Sequence, residues 1–293
     1  MKIPKKYIKI LLFIFGLLLC ISLVFYIFTK YNCESFDNKI PEFGIVITRH
    51  VNNENADRIW KKCLEQVRKY YPTEPVVIID DNSDYQYIKP DGIDFTNCTI
   101  IDSEIKKAGE MLPYYYFYKY HWFDKMLFIH DSVFIEKRIE YRDISTVKAV
   151  WHFDPLGSSN EESEYSAITE LIPHLNHNEE LTRLYDNSAE WKGDYGVMSL
   201  ITYSYVKHIM EKYNIINMVQ KVDSRVKRMA CERIMGLIFS HDDPNFVKNP
   251  SIIGNYLNTF NNQLNYSYGY EHYMEDVNKN MMKAPINKLF FGR

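Results

Sequence analysis

The residues VVIIDDNSD, at positions 76–84, decide the fold that this sequence predicts. Four consecutive apolar residues, two of them Val and two Ile, are typical of a strand that is buried on both faces. Aspartates follow at once, and Asp, Asn and Ser are residues that favour a turn. The stretch therefore predicts a buried strand with carboxylates at its end.

A second apolar run lies before this strand. FGIVI, residues 43–47, predicts another buried strand, and the segment between the two strands is amphipathic. Its apolar residues recur at the spacing of one helix face. They are Ala56, Ile59, Trp60, Cys63, Leu64 and Val67. Because Pro72 and Pro75 end this helix, residues 43–79 are predicted to form a β-α-β unit.

The alternation of strands and helices continues along the chain. Further strands are predicted at 98–101, 126–129, 147–153 and 196–201, and helices at 106–121, 161–175, 179–185, 203–213 and 222–239. From residue 242 onward the periodicity fades. This pattern predicts an α/β fold with a mixed, mostly parallel sheet flanked by helices. Ligands of such sheets bind outside the carboxyl ends of the strands.

An uncharged apolar run, Ile10–Phe28, predicts a transmembrane helix before this domain, because its 19 residues span roughly 28 Å. Four lysines precede the run and only two follow it by residue 39, which favours a cytoplasmic N-terminus. A cleaved signal peptide is the alternative, but no Ala-x-Ala-like site follows. We expect a type II single-pass membrane protein of the secretory pathway. Its parts are a tail (1–9), a signal-anchor (10–28), a stem (29–42) and a lumenal or extracellular domain (43–293).

Composition excludes several classes of protein. The formal net charge is -3 and no basic stripe lies outside the N-terminal tail, which argues against nucleic acid as a partner. The five cysteines form no Cys-x-x-Cys pair, so a zinc ribbon or a thioredoxin-like site is not supported. Cys63 and Cys231 are predicted to be core residues. Sequons at Asn97 and Asn265 predict a glycoprotein if the domain is lumenal.

Common nucleotide and hydrolase motifs are absent from the sequence. It contains no Gly-x-Gly-x-x-Gly after the first strand, no P-loop and no Gly-x-Ser-x-Gly elbow. What remains is a sheet with carboxylates at its strand ends. One aspartate there can accept a hydrogen bond from a uracil or guanine N–H, and another can hold Mg²⁺ or Mn²⁺ on a diphosphate.

Two motifs follow the first strand and helix in this order, IIDDNSD (78–84) and FIHDSVF (128–134). Together they resemble the nucleotide-sugar glycosyltransferases of the A-type, Rossmann-like fold. The likeness covers roughly residues 43–240. It implies nucleotide contacts for Thr48, Arg49, Asp80 and Asp81, and the alternative is that the two aspartates only begin a turn. For Arg49 the alternative is an ordinary surface arginine.

FIHDSVF takes the place of the Asp-x-Asp motif of these enzymes, so the resemblance implies that Asp131 and His130 bind Mn²⁺ or Mg²⁺, with His241 completing the site. The sequence has one carboxylate there instead of two. A metal-independent site is therefore the alternative, and His130 is otherwise a hydrogen-bonded core residue.

Two more residues acquire catalytic roles from the resemblance. WKGDYG (191–196) resembles the loop that holds the donor sugar and the acceptor in these enzymes, which implies that Asp194 binds sugar hydroxyls. The alternative is an ordinary turn before a strand. Glu232, on the late helix, is where an inverting enzyme of this type places its general base. The alternative for Glu232 is an i,i+4 ion pair with Arg228.

The sequence thus predicts a glycosyltransferase that moves a sugar from a nucleoside-diphosphate donor to a hydroxyl of a glycan or glycoprotein. The alternative is a non-catalytic, membrane-anchored glycan-binding or envelope protein with a transferase-like fold. The single carboxylate of His130-Asp131-Ser132 keeps that alternative open.

Overall fold

Strands and helices alternate through the part of the chain that the computed structural model describes, which is residues 40–89, 91–155, 162–259, 268–282 and 284–290. The strands are β1 (Phe43–Arg49), β2 (Val76–Asp80), β3 (Cys98–Asp102), β4 (Lys125–His130), β5 (Val133–Ile135), β6 (Val147–Phe153), β7 (Gly193–Asp194), β8 (Ser199–Thr202), β9 (Ser251–Asn255) and β10 (Ile286–Lys288). The helices are α1 (Glu54–Tyr70), α2 (Leu112–Tyr120), α3 (Glu162–Leu171), α4 (Asn178–Asp186), α5 (Tyr203–Lys212), α6 (Ile215–Val219), α7 (Arg225–Asp242), α8 (Pro244–Lys248), α9 (Tyr256–Thr259) and α10 (Tyr270–Asn278).

The predicted β-α-β unit is confirmed. Every residue of β1 and of β2 is buried, as expected for strands with helices on both faces of the sheet. Helix α1 begins after Asn53, whose side chain accepts a hydrogen bond from the backbone N–H of Ala56 at 2.8 Å. The predicted apolar face of α1 is buried along its whole length.

The main sheet has a parallel half and a mixed half. Its strand order is β3-β2-β1-β4-β8-β6-β7, with β9 beside β6. Strands β3, β2, β1 and β4 are parallel, whereas β8 runs antiparallel to both β4 and β6. Strand β7 is antiparallel to β6, and β9 is parallel to it. The predicted mixed, mostly parallel α/β sheet is therefore confirmed.

Several short strands were not predicted from the periodicity. Strands β5 and β10 form a separate two-stranded antiparallel sheet, and each has three residues. Strand β7 has two residues, and the predicted strand at 196–201 begins only at Ser199 because a 3-10 turn occupies Tyr195–Val197. Elements of two or three residues are too short to show a period.

The predicted fold class is wrong in one respect. Ile10–Phe28, the predicted transmembrane helix, lies outside the described residues, and within those residues no helix is both long and apolar enough to cross a membrane. The longest of the described helices, α7, has 18 residues and carries charged residues such as Arg225 and Arg228. The fold class is accordingly corrected to a mixed α/β fold without a membrane helix in the described part. The same finding contradicts the predicted type II membrane localisation.

Cys63 and Cys231 are buried and free, which confirms that they are core residues and not half-cystines. Of the two sequons, Asn97 lies just before β3, where its side-chain amide donates a hydrogen bond to the backbone oxygen of Thr73 at 2.9 Å. Asn265 lies outside the described residues. Glycosylation stays a prediction.

Gly236 lets α7 approach β7 closely. A Cβ atom at position 236 would lie 2.2 Å from the backbone oxygen of Lys192 and 2.7 Å from Cα of Gly193. Both are backbone atoms, so they cannot move aside as a flexible side chain would. This close contact fixes the distance between the helix that carries Glu232 and the strand that carries Asp194.

We therefore expect Gly236→Ala to lower the free energy of unfolding by about 1–3 kcal/mol, the usual cost of overpacking, although alanine favours a helix more than glycine does. Urea denaturation measures this change. Glu211→Ala, on the exposed side of α5, is the control and should change the stability by no more than about 0.5 kcal/mol. A Gly236→Ala protein as stable as the control would contradict the close packing.

Candidate active site

Three neighbouring parallel strands end at the same edge of the sheet. Strand β1 ends at Arg49, β2 at Asp80 and β4 at His130. Arg49 lies opposite Asp80, and Thr48 lies opposite His130. The sequence motifs that follow these strands are therefore brought together, as the parallel pairing requires. We call this edge the carboxyl edge.

Arg49 and Asp80 form a buried ion pair at the carboxyl edge. Arg49 Nε donates to Asp80 Oδ2 at 2.7 Å, and the two side chains are 2% and 0% exposed. The other Asp80 oxygen accepts the backbone N–H of Ser83 at 2.9 Å, and the guanidinium lies over the Trp60 ring at 4.7 Å. These contacts indicate that the pair holds β1, β2 and the following turn together. Its predicted role in nucleotide binding stays a prediction.

Asp81 is also held by contacts within the chain. Its Oδ1 accepts the backbone N–H of Lys107 at 2.6 Å, and its Oδ2 accepts that of Gly109 at 2.9 Å. Gly109 has φ +36, in the left-handed region that glycine tolerates. Asp81 therefore fixes the loop that leads into α2. Nucleotide contact by Asp81 likewise stays a prediction.

Asp131 follows β4 and contacts the end of β1. Its Oδ2 accepts the backbone N–H of His50 at 2.9 Å, while its own N–H donates to the Thr48 carbonyl at 3.1 Å. Thr48 Oγ1 is buried and lacks a hydrogen-bond partner within the described residues. The predicted residues Thr48, Asp131 and His130 are thus close neighbours at the carboxyl edge.

A lysine that the sequence did not single out lies beside His130. Lys288 of β10 is 3% exposed, and its Nζ is 3.3 Å from His130 Nδ1. The same ammonium lies 5.8 Å from the centre of the Tyr195 ring. The C-terminal strand therefore places a positive charge next to the FIHDSVF motif.

Asp194 is a fully buried acid. Neither of its carboxyl oxygens has a hydrogen-bond partner within the described residues, and its side chain is 0% exposed. Burial, with a further contribution from the charge of Glu232, raises the pKa of Asp194 well above its usual value. An uncharged carboxyl that lacks internal partners can hydrogen-bond to a ligand. It lies opposite His152, at the carboxyl end of β6.

Glu232 is half-buried and lies close enough to Asp194 for its charge to act on that residue. Its Oε1 accepts the backbone N–H of Gly196 at 3.0 Å. Burial, together with the charge of Glu110, raises the pKa of Glu232 to about 8. Arg228 pairs with Glu110 at 3.0 Å, so the alternative of an i,i+4 ion pair between Arg228 and Glu232 is not what forms.

His241 is not brought to this site. It lies nine residues after Glu232 on α7, which is about 14 Å along a helix. Its Nδ1 is 2.7 Å from the hydroxyl of Tyr213, and its ring lies 6.3 Å from that of His177. Helix α7 thus carries His241 away from Glu232, towards Tyr213 and His177.

The residues of the carboxyl edge do not fit a protein-built metal site. Within the described residues, no three His, Cys, Asp or Glu side chains are placed to hold one ion. At His130, the nitrogen Nδ1 faces the Lys288 ammonium. Metal binding by Asp131, His130 and His241 stays a prediction, and no step below depends on it.

Two residues of this region were missed from the sequence. Lys288 lies in the C-terminal stretch where no periodicity is visible. Glu110 falls inside the predicted helix 106–121, but the structure places it in a 3-10 turn (Gly109–Met111) of the loop that leads into α2. Only the pairing of β10 with β5 and the folding of the loop onto α7 bring them to Glu232. No signal in a single sequence predicts either contact.

This chain has a likeness to known proteins in structure but not in sequence. Neither the protein-family models nor the curated proteins include a match. Among solved structures, this chain is similar to S. aureus TarS, a glycosyltransferase, with a TM-score of 0.25 and 17% sequence identity. The match covers 33% of this chain and 18% of the TarS chain. A likeness this partial carries no argument about the site or the activity.

Proposed function

We propose that this chain is a glycosyltransferase that moves a sugar from a nucleoside-diphosphate donor to a hydroxyl group of a glycan or glycoprotein. The observation that carries the proposal is the pair of acidic groups Asp194 and Glu232. Within the described residues, Asp194 is buried without a hydrogen-bond partner, and Glu232 is half-buried with a raised pKa. Asp194 lies beside the carboxyl end of β6, and Glu232 contacts Gly196 two residues later. The carboxyl ends of the strands are where such sheets bind ligands.

The roles of the two groups follow from their environments. Ionised Glu232 takes the proton from the acceptor hydroxyl, because a carboxylate with a pKa near the working pH is an effective base. The acceptor oxygen then bonds to the anomeric carbon of the sugar. The bond from that carbon to the diphosphate oxygen breaks, and the diphosphate leaves with the electron pair. Asp194, kept uncharged by burial, donates a hydrogen bond to a sugar hydroxyl.

The raised pKa of Glu232 predicts how turnover and stability depend on pH. Because only the ionised form accepts a proton, turnover should rise with pH through about 8. The unfolded chain ionises near the ordinary value of 4.5, so the folded protein should lose stability between pH 4.5 and about 8. A turnover profile that is flat from pH 6 to 9 would contradict the role of Glu232 as base. Thermal unfolding of the wild type and of Glu232→Gln across this range isolates the stability change.

Nucleotide binding tests the proposal without requiring the acceptor. We expect UDP or GDP to raise the melting temperature of the full chain, since a ligand that binds only the folded state stabilises it. UMP and GMP are the matched controls, because they carry the same bases without the diphosphate. If no nucleoside diphosphate changed the melting temperature, the proposal would be wrong.

A non-catalytic glycan-binding protein is the second candidate. The observation that favours it is that the side chains of Asp80 and Asp81 are both engaged within the chain. A protein of this kind would bind oligosaccharides but would neither bind nucleoside diphosphates nor hydrolyse nucleotide sugars. The measurements with UDP and GDP therefore separate the two candidates.

A further inference from the structure

Strand β10 brings Lys288 to the carboxyl edge. It pairs antiparallel with β5, which begins two residues after Asp131, and Lys288 lies opposite Val133. The next residue, Leu289, donates its backbone N–H to the Ser132 carbonyl at 2.9 Å. Backbone hydrogen bonds on both sides of Lys288 therefore fix its place beside the FIHDSVF motif.

The Lys288 ammonium is buried between His130 and Tyr195. The side chain is 3% exposed, and its Nζ is 3.3 Å from His130 Nδ1 and 5.8 Å from the centre of the Tyr195 ring. Lysine is rarely buried in proteins unless its ammonium has partners, so this position is unusual for the residue type. Its charge also reaches Glu232, whose pKa it lowers.

This arrangement leaves His130 poorly suited to bind a metal ion. An ammonium only donates hydrogen bonds, so the contact at 3.3 Å uses the lone pair of Nδ1. While that contact lasts, the lone pair of Nδ1 is not available to a metal ion. A divalent cation at this place would also be repelled by the ammonium.

We propose that Lys288 binds the diphosphate of the nucleotide donor and stabilises it as it leaves, in the place where a divalent cation is otherwise expected. This inference rests on the proposed glycosyltransferase function. A lysine ammonium is a compact point charge that commonly binds phosphate oxygens. The consequence is that binding of the diphosphate requires Lys288 and does not require a metal ion.

Calorimetric titration of the full chain with UDP and GDP, in EDTA and in Mn²⁺, tests this inference. The wild type should bind one of the two nucleotides in EDTA, with little gain from Mn²⁺. Lys288→Met keeps the length of the side chain without its charge, and it should weaken binding in EDTA about tenfold to a hundredfold. Lys288→Arg should restore part of the affinity. The control is Lys279→Met, a loss of the same charge at an exposed position, which should bind as the wild type does.

The outcomes separate the inference from the function on which it rests. If the wild type bound neither UDP nor GDP in either buffer, the proposed function would fail and the role of Lys288 with it. If a nucleotide bound the wild type and Lys288→Met equally, or bound only with Mn²⁺, the role of Lys288 alone would be overturned. Melting temperatures of all variants show that each is folded. If Lys288→Met were unfolded, the test would rest on Lys288→Arg in EDTA. Nucleotide binding by the wild type without a metal ion, together with partial binding by Lys288→Arg, would support the cation role.

Discussion

Replacing Glu232 with glutamine is expected to lower turnover by about a hundredfold to ten-thousandfold, the usual loss when a general base is removed. Glutamine keeps the shape of the side chain and can still accept the hydrogen bond that the Gly196 N–H donates at 3.0 Å. The variant should therefore fold and bind nucleotide as the wild type does. The measurement is the rate of donor consumption, with Glu211→Gln, at an exposed position of α5, as the control.

A second substitution tests the cause of the raised pKa of Glu232. Glu110 contributes to this raised pKa through its negative charge, and it also neutralises Arg228 at 3.0 Å. Glu110→Gln removes the negative charge near Glu232 and leaves the positive charge of Arg228 without its partner. Both changes favour the ionised form of Glu232, so its pKa should fall. The rise of turnover with pH should then move to lower pH. A profile unchanged from that of the wild type would contradict this explanation of the pKa.

Replacing Arg49 with methionine is expected to lower the free energy of unfolding by about 3–5 kcal/mol, because it leaves the Asp80 carboxylate buried without its partner. The two side chains are 2% and 0% exposed, so water cannot take the place of the guanidinium. Chemical denaturation measures the change. Arg58→Met is the matched control, because it breaks an ion pair with Glu271 in which the side chains are 50% and 75% exposed. Its expected cost is about 0–1 kcal/mol.

The double variant Arg49→Met, Asp80→Asn removes the unpaired charge, and it should recover much of the lost stability. Recovery would identify the buried charge as the cause, since simple loss of packing around Trp60 would persist in the double variant. If Arg49→Met were as stable as Arg58→Met, the structural role of the pair would be wrong.

The parallel half of the fold was predictable from the sequence, and the reason is physical. Strands buried on both faces need continuous apolar runs, and the runs at 43–47, 76–79 and 126–129 became β1, β2 and β4. A helix that covers such a sheet needs one apolar face, and the spacing from Ala56 to Val67 supplied it. The carboxyl edge then followed from the rule for parallel strands.

The roles of the acidic residues do not follow from the sequence in the same way, because the sequence does not say what each carboxylate contacts. Asp80 and Asp81 follow a buried strand as predicted, yet each is held within the chain by Arg49 or by backbone N–H groups. Whether a carboxylate serves a ligand or the fold depends on contacts 26 to 31 residues away along the chain. Such contacts leave no periodic signal.

Lys288 is the clearest case of a contact that the sequence could not predict. Its strand has three residues, and its neighbour His130 lies 158 residues away along the chain. For His241, the resemblance implied a place beside His130 without regard to the helix that carries it. Helix geometry places it about two and a half turns beyond Glu232.

The measurement that tests the central claim most directly is the release of nucleoside diphosphate from a panel of radiolabelled UDP- and GDP-sugars by the full chain, compared with Glu232→Gln. We predict that the folded wild type consumes at least one donor, faster at pH 8 than at pH 6, and that Glu232→Gln consumes it at least a hundredfold more slowly. The claim would be contradicted if the folded wild type consumed no donor in the panel, or if Glu232→Gln consumed a donor as fast as the wild type.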